Sequence, residues 1–279
     1  MRPAANQKKL GEELRRLRVE RGLTVDAAST RVGWDKSKLS RLETNKTLIG
    51  KQHVDALAEA LGLTSAMRLR LDRLLGVETG ESGIWWGRYQ DVLTPQYEEL
   101  ILLESQAASI EVAAMLIPGL MQAPGYAQAT LLQSAFVPDP EDAEMLLDVR
   151  RRRQQVVTAG AVSLLATLSE SVLLNAFCGR VALQRQLQYL LDLGQLPNVT
   201  LRIVPYDAPG AAFTGTVTLL DPQPEAGATV AYVEYEGGSQ LLSDSRTIKR
   251  YRRNLAYFGQ AACSEAESRR MISERLEDS

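Results

Sequence analysis

Apolar residues recur at helical spacing through the first 75 positions and then give way to shorter runs of strand character. Leu10, Leu14 and Leu17 share one stripe of a helix over residues 7–21, whose opposite side is basic. In RGLTVDAASTRVGWDKSKLSRLETNK, residues 21–46, apolar positions fall at Leu23, Ala27, Ala28, Val32, Leu39 and Leu42. With Gly33 at the reversal, they predict two short helices joined by a tight turn. Asp35 stands where a carboxylate caps the second of these. Val54, Leu57, Ala58 and Leu61 predict a fourth helix over 48–63, stopped by Gly62 and followed by Thr64 and Ser65 as a new cap; a fifth covers 66–75. Five short helices over residues 1–75 are an all-α domain.

The stretch GVETGESGIWWGRYQDVLTP then reads as a linker over 76–94, rich in Gly, Thr and Ser, entering a larger domain over 95–279. Its aromatics Trp85, Trp86 and Tyr89 either clamp the linker or line a ligand pocket. Beyond it the pattern predicts a helix over 96–108 and a strand over 110–116, broken at Pro118-Gly119. Helices follow over 126–133 and 140–157, then a buried strand over 162–168 and an amphipathic helix over 181–193. Val- and Thr-rich strands are predicted at 200–205, 214–220 and 229–235, with Gly237-Gly238 turning into 240–242. Helices over 244–262 and 264–275 close the chain. The chain is therefore multi-domain, an all-α domain before an α/β (α+β) domain.

At 279 residues and 45% hydrophobic content, both parts can bury real cores. The net charge of −2 conceals an asymmetry: residues 1–75 hold 16 Lys/Arg and 9 Asp/Glu (+7), the remainder 16 and 25 (−9). Only the first quarter suits a polyanion, because phosphate contacts release counterions and supply sequence-independent affinity. The acidic remainder is expected to repel DNA unless its charges face away. No apolar run is long enough to span a membrane, and the opening MRPAANQKKLGEELRR lacks a signal peptide's apolar stretch. A cytoplasmic location is expected, nucleoid-associated when bound to DNA, with no membrane partner. Cys178 and Cys263 stand far apart, outside metal-ligand spacing, and are expected as reduced thiols.

The exposed face of the second short helix, Lys36, Ser37, Lys38, Ser40 and Arg41, combines cations with hydroxyls. Lys or Arg can donate to guanine O6 and N7 in the major groove. Alone, such a face is more often a solvated surface. The larger domain holds no histidine, since the chain's single one is His53. Histidine-based nucleophilic catalysis and metal sites are thereby excluded there. No dinucleotide or phosphate-loop glycine motif occurs, so no cofactor and no catalytic residue is nominated. Glu170, Asp192, Asp207 and Glu234 could form a carboxylate pair only if folding brings them together. Arg150 to Arg153 read three ways: a solvated face, an anchor for an acidic partner or ligand through Arg151 and Arg152, or an accessory DNA patch.

The runs LRRLRVERGLT, VG at the turn, KLSRLE and LAEALGL resemble the Xre-type, lambda/434-repressor-like helix-turn-helix domains over residues 7–65. The resemblance implies base-facing positions at Lys36, Ser37 and Lys38, with Arg41 further along, and Thr24, Ser40, Asn45 and Lys46 near phosphates. It also implies a structural pairing of Arg18 with Glu43. Val25, Ala28 and Ser29 depart from the family, in place of a phosphate-touching glutamine, a leucine and an alanine. LIPGLMQAPGYA, DVRRRRQQ, TLSESVLLNAFCG, QLQYLLDL and VTLRIVPYDA resemble the antitoxin-like C-terminal domain of WhiJ-like regulators over 95–272. That resemblance implies a transcriptional regulator, expected as a repressor, whose C-terminal domain receives a signal from a small protein encoded by a neighbouring gene or from a small-molecule effector. One recognition helix covers few base pairs, so a homodimer on a palindromic operator is expected. The alternatives are an antitoxin that neutralises a protein toxin by contact and autoregulates its operon, and a DNA-tethered enzyme. An enclosed cavity in the C-terminal domain would favour a small-molecule signal, a mere groove a protein partner.

Overall fold

Three leucines at helical spacing turn one side of the first helix into an apolar stripe, and the rest of the N-terminal unit is assembled against it. The structure is a computed structural model that describes residues 4–63, 65–75, 85–89, 91–133, 139–209, 215–223, 227–235 and 238–278. Helix α1 (Ala4–Glu20) buries Leu10, Leu14 and Leu17 among α2 (Val25–Val32), α3 (Lys36–Glu43), α4 (Lys51–Ala60) and α5 (Ser65–Leu74). Gly33 ends α2 at φ 73°, a left-handed conformation that glycine adopts without strain and that tightens the turn into α3. Gly11 serves a different need: a β-carbon there would lie 2.9 Å from the Leu42 carbonyl, so only glycine lets α1 come this close to the end of α3. The Gln7 carboxamide bonds both backbone groups of Ile49, accepting at 2.9 Å and donating at 3.2 Å. The expected cap residue Thr64 lies outside the described residues, as do residues 76–84 of the predicted linker and Gly237.

The chain divides into two compact units at Trp85/Trp86, inside the stretch read as a linker. Residues 86–94 therefore belong with the second unit, where Trp86 and Tyr89 are buried.

That second unit is a six-stranded sheet in the order β3-β2-β1-β4-β5-β6. Helix α6 (Pro95–Gln106) is capped by the Thr94 hydroxyl and runs directly into β1 (Ala107–Ala114). α7 (Pro124–Leu132), α8 (Pro140–Arg153) and α9 (Gln155–Thr158) lead to β2 (Ser163–Ser169); α10 (Ser171–Leu174) and α11 (Arg180–Leu193) lead to β3 (Val199–Val204). These three strands are parallel, and the helical crossovers between them meet the geometric requirement of parallel pairing. β4 (Thr216–Pro222), β5 (Val230–Tyr235) and β6 (Gly238–Leu242) continue as an antiparallel meander from β1. One sheet face packs on α6, α7, α11 and α13 (Glu265–Glu277); the other packs Val217, Leu219 and Ala231 on Ile248, Leu255 and Phe258 of α12 (Ser245–Gln260).

β1 begins three residues before the predicted strand. Ala107 and Ala108 favour helix intrinsically, but the ladder to β4 begins at Ala107 opposite Pro222. The predicted 140–157 helix divides at Gln154, whose N–H still donates to the Arg150 carbonyl at 3.1 Å and whose carboxamide donates to the carbonyls of Gly119 and Gln122 at 2.9 and 2.8 Å. At the β3 edge the Ile203 N–H donates to the buried Ser268 hydroxyl at 2.8 Å, and the Cys263 N–H to the Ile203 carbonyl at 2.9 Å. That edge is thus closed to a further strand.

Gln186 of α11 is fully buried; its oxygen accepts from the Ala123 N–H at 2.6 Å and its nitrogen donates to the Met121 carbonyl at 2.8 Å. Gln186→Ala leaves both backbone groups unpaired, at a cost of about 1–3 kcal/mol. Urea unfolding measures this, and a wild-type midpoint would show that Gln186 does not hold the segment.

Candidate nucleic-acid interface and the second-unit cavity

Helix α3 starts where Asp35 accepts the Ser37 N–H at 2.7 Å, and hydrogen bonds from the Ser37 side chain and backbone hold the Asp35 carboxyl below its ordinary range. Leu39 and Leu42 turn into the core, while Lys36, Ser37 and Arg41 are exposed and Lys38 and Ser40 half-buried. Arg41 makes no ion pair among the described residues, and Lys36 only a loose one, 3.9 Å from exposed Asp26. Lys38 is held differently. Its ammonium sits 4.1 Å from the centre of the Trp34 ring, which packs edge-on against His53 at 5.7 Å. His53 Nδ1 accepts the Gly50 N–H at 3.0 Å, and burial, then the Lys38 charge, push its pKa down. Trp34 and His53 are packing residues that seat Lys38.

The other expected DNA contacts flank this face. Thr24 is exposed, but its hydroxyl accepts the Ala27 N–H at 3.1 Å as the cap of α2. Asn45, at φ 58°, donates to the Lys8 carbonyl at 3.3 Å, and Lys46 beside it is exposed. Behind the face, Arg18 and Glu43 form a buried bidentate pair at 2.6 and 2.8 Å, and Arg18 also donates to the Leu23 carbonyl at 2.7 Å. The pair ties α1, the entry to α2 and the end of α3 together. The departures at Ala28 and Ser29 are absorbed by close packing: both are buried, and the Ser29 hydroxyl donates to the Asp26 carbonyl at 2.9 Å. Val25 packs against the same core.

In the second unit a cavity of about 370 Å³ lies over the sheet face formed by β1, β4 and β5, under α6, α8 and the Pro118–Gln122 segment. Its polar end is set by register. Thr216 pairs with Glu234 and Thr218 with Tyr232 across β4 and β5, so all four side chains point to one face. Above them Arg153, 6% exposed, holds Glu104 through two bonds of 2.8 and 2.6 Å and also donates to the Tyr97 hydroxyl. Arg150 Nη1 bonds Gln122 Oε1, while its buried Nε has no partner among the described residues. Glu234 is exposed at the rim of this end, and partial desolvation by the surrounding protein raises its carboxyl above its ordinary range, against the opposing charges of Arg153 and Arg150.

The arginine run is thus divided by the helix. Arg150 and Arg153 line the cavity, whereas Arg151 and Arg152, expected as the partner contacts, point away and pair with Asp148 at 2.5 and 3.2 Å. The Tyr89 hydroxyl and then Arg151 hold Asp148 well below the carboxylate range. Trp85 and Trp86, read as possible ligand contacts, do not line this cavity, and Trp86 is buried at 1% exposure. Of the four acids considered, only Glu234 lines it; Glu170 accepts from the Tyr206 N–H and Asp192 from Gln188. Sequence reasoning missed Glu104 and Tyr97 on α6 and Tyr232 on β5; for Tyr232 polar residues at alternate positions of a buried strand were a usable signal. It also missed a cationic surface on α12, where Arg246, Lys249, Arg250 and Arg253 are exposed and make no ion pair among the described residues.

Residues 97–274 match the family described as a domain of unknown function, DUF5753, and residues 9–71 match a helix-turn-helix domain family. No curated protein and no solved structure matches. No helix among the described residues is long and apolar enough to cross a membrane.

Glu43→Gln should destabilise the N-terminal unit by about 3–5 kcal/mol, because Arg18 is left as a buried, uncompensated charge. Calorimetry would find an unchanged first-unit melt if the pair were dispensable. Arg41→Ala should leave that melt intact and weaken specific DNA binding by about 1–3 kcal/mol if Arg41 meets a base. Gel-shift titration at fixed salt reads the change, and undiminished affinity removes Arg41 from the reading face.

Proposed function

The chain belongs to the DUF5753 family, and from the helix-turn-helix domain in front of that region we propose a sequence-specific transcriptional regulator, acting as a repressor. The observation that carries this reading is the exposed α3 face of Lys36, Ser37 and Arg41, backed by the buried Arg18–Glu43 pair. A short helix oriented rigidly from behind is what insertion into a major groove requires. Lys38 adds a cation at a fixed position beside Trp34, and Ser40, Thr24, Asn45 and Lys46 flank the face as backbone contacts. By resemblance to Xre-type and WhiJ-like regulators, the second unit receives the signal and supports a homodimer on a palindromic operator. The cavity is open at its mouth yet has an apolar floor beneath α6 and α8, which supports a small molecule rather than a protein partner as that signal.

Selection from a random duplex pool with the full chain should return two inverted half-sites about 10 base pairs apart, centre to centre. Affinity for the selected duplex should fall steeply with salt, as phosphate contacts require. Recovery of no enriched sequence would sink the regulator reading; a single half-site bound by a monomer in sedimentation would sink the dimer.

A further inference from the structure

The second-unit cavity has two chemically different ends. Toward its floor lie apolar side chains such as Leu100, Ile110 and Ile117, while its mouth includes Leu116 and Tyr235, which are 46% and 55% exposed. Large apolar side chains left in solvent at an opening cost little once an apolar molecule lies across them. The other end carries Thr216, Thr218 and Tyr232 at inward positions, where a strand serving only the core would place Val or Leu, with Glu234 exposed at the rim of the same face. Keeping polar groups there costs free energy unless hydrogen bonds satisfy them.

Charge decides what kind of head group fits. Arg153 and Glu104 neutralise one another through two hydrogen bonds. Arg150 is left with one hydrogen bond, to a neutral carboxamide, and feels Glu234 only at a distance, with no carboxylate in direct ion-pair contact among the described residues. A β-carbon on Gly119 would stand 3.6 Å from Arg150 Nε and 3.7 Å from Arg153 Nη1, so the bare glycine keeps this corner open around both guanidinium groups. Glu234 stands exposed at the rim of this end, where solvent screens its carboxylate from a bound anion.

We propose that this cavity binds a small amphipathic carboxylic acid, its carboxylate held by the Arg150 guanidinium and its alkyl or aryl body laid along the apolar end. A volume of about 370 Å³ lies at the lower end of the range of small-molecule sites. A cationic head would meet the Arg150 guanidinium, whose charge no ion pair among the described residues neutralises, and a sugar would leave its hydroxyls unbonded along the apolar end. That the acid is the signal of a regulator rests on the reading given above; that the cavity binds it does not.

Titration calorimetry on the full chain tests this with octanoate and phenylbutanoate, compared with phenylbutanol and phenylbutylamine as matched bodies with other heads. The two acids should bind at least about tenfold more tightly than the alcohol or the amine, since a hydrogen bond to a charged group supplies that much. Arg150→Gln should reduce phenylbutanoate to the affinity of phenylbutanol, and Thr216→Trp, which fills the polar end, should weaken all four. Circular dichroism melts establish that both variants fold; if either does not, the head-group comparison on the wild-type chain decides alone. Equal affinities for acid, alcohol and amine, no acid binding up to about millimolar concentration, or an acid preference that survives Arg150→Gln would each overturn the proposal. The selected duplex is titrated separately: duplex binding without acid binding defeats only this inference, and acid binding without any selected duplex defeats only the regulator reading.

Discussion

Arg153 and Glu104 are shut away from water in the second unit, and much of that unit is arranged to make this tolerable. Removing two ions from water costs several kcal/mol each, and only close bidentate geometry with further hydrogen bonds offsets it. Here the offset comes from bonds of 2.8 and 2.6 Å and from the Tyr97 hydroxyl, which together tie α8 to α6 above the sheet. Those two helices cannot slide without separating the charges. The same cluster explains why the space beneath is unfilled: apolar side chains packed against it would strip the remaining polar groups of partners. The cavity is therefore a consequence of the ion pair and of the polar inward positions on β4 and β5, rather than a packing fault.

The first unit uses the same device on a smaller scale. α3 has 8 residues, too few for a helix to be stable on its own in water, so its orientation must come from tertiary contacts. Leu39 and Leu42 supply the apolar share, and Glu43, clasped by Arg18, fixes the rotation about the helix axis. Each unit thus carries a buried arginine–glutamate pair that sets the orientation of the helix bearing its exposed or cavity-facing cations. In α3 those cations are Lys36 and Arg41; in α8 the cation is Arg150.

Much of this was legible in the residues. Leu10, Leu14 and Leu17 specify α1, Gly33 and Asp35 specify the turn and cap, and the Val- and Thr-rich runs specify β3, β4 and β5. Those signals are local, and local signals survive folding when packing agrees with them. Where packing disagreed, the reading slipped. Ala107 and Ala108 look helical until a neighbouring strand pairs with them, and the helix over 140–157 looks continuous although it divides at Gln154. The cavity was legible only in part. Helical geometry places Arg150 and Arg153 on one side and turns Arg151 and Arg152 away, but which side faces inward is decided by Glu104, 49 residues earlier in the chain. For the linker aromatics two readings stood open, and burial of Trp86 and Tyr89 in the second unit agrees with clamping and not with a ligand pocket, a choice that nothing local decides.

Charge was the other quantity that averaging blurred. A net −9 beyond residue 75 suggests a surface hostile to anions. Yet fields between exposed charges fade over about 10 Å at 0.1 M salt, so an anion responds to the groups nearest it and not to a total over 200 residues. Within that distance α12 offers Arg246, Lys249, Arg250 and Arg253 with no acidic residue in the helix, and the cavity on the opposite sheet face offers Arg150. The acidic residues of this unit are in part already committed, Glu104 to Arg153, Asp148 to Arg151 and Arg152, and Asp221 to Arg252. An acidic unit can therefore receive an anion at specific places, because neutralised carboxylates count toward the total but contribute little to the local field.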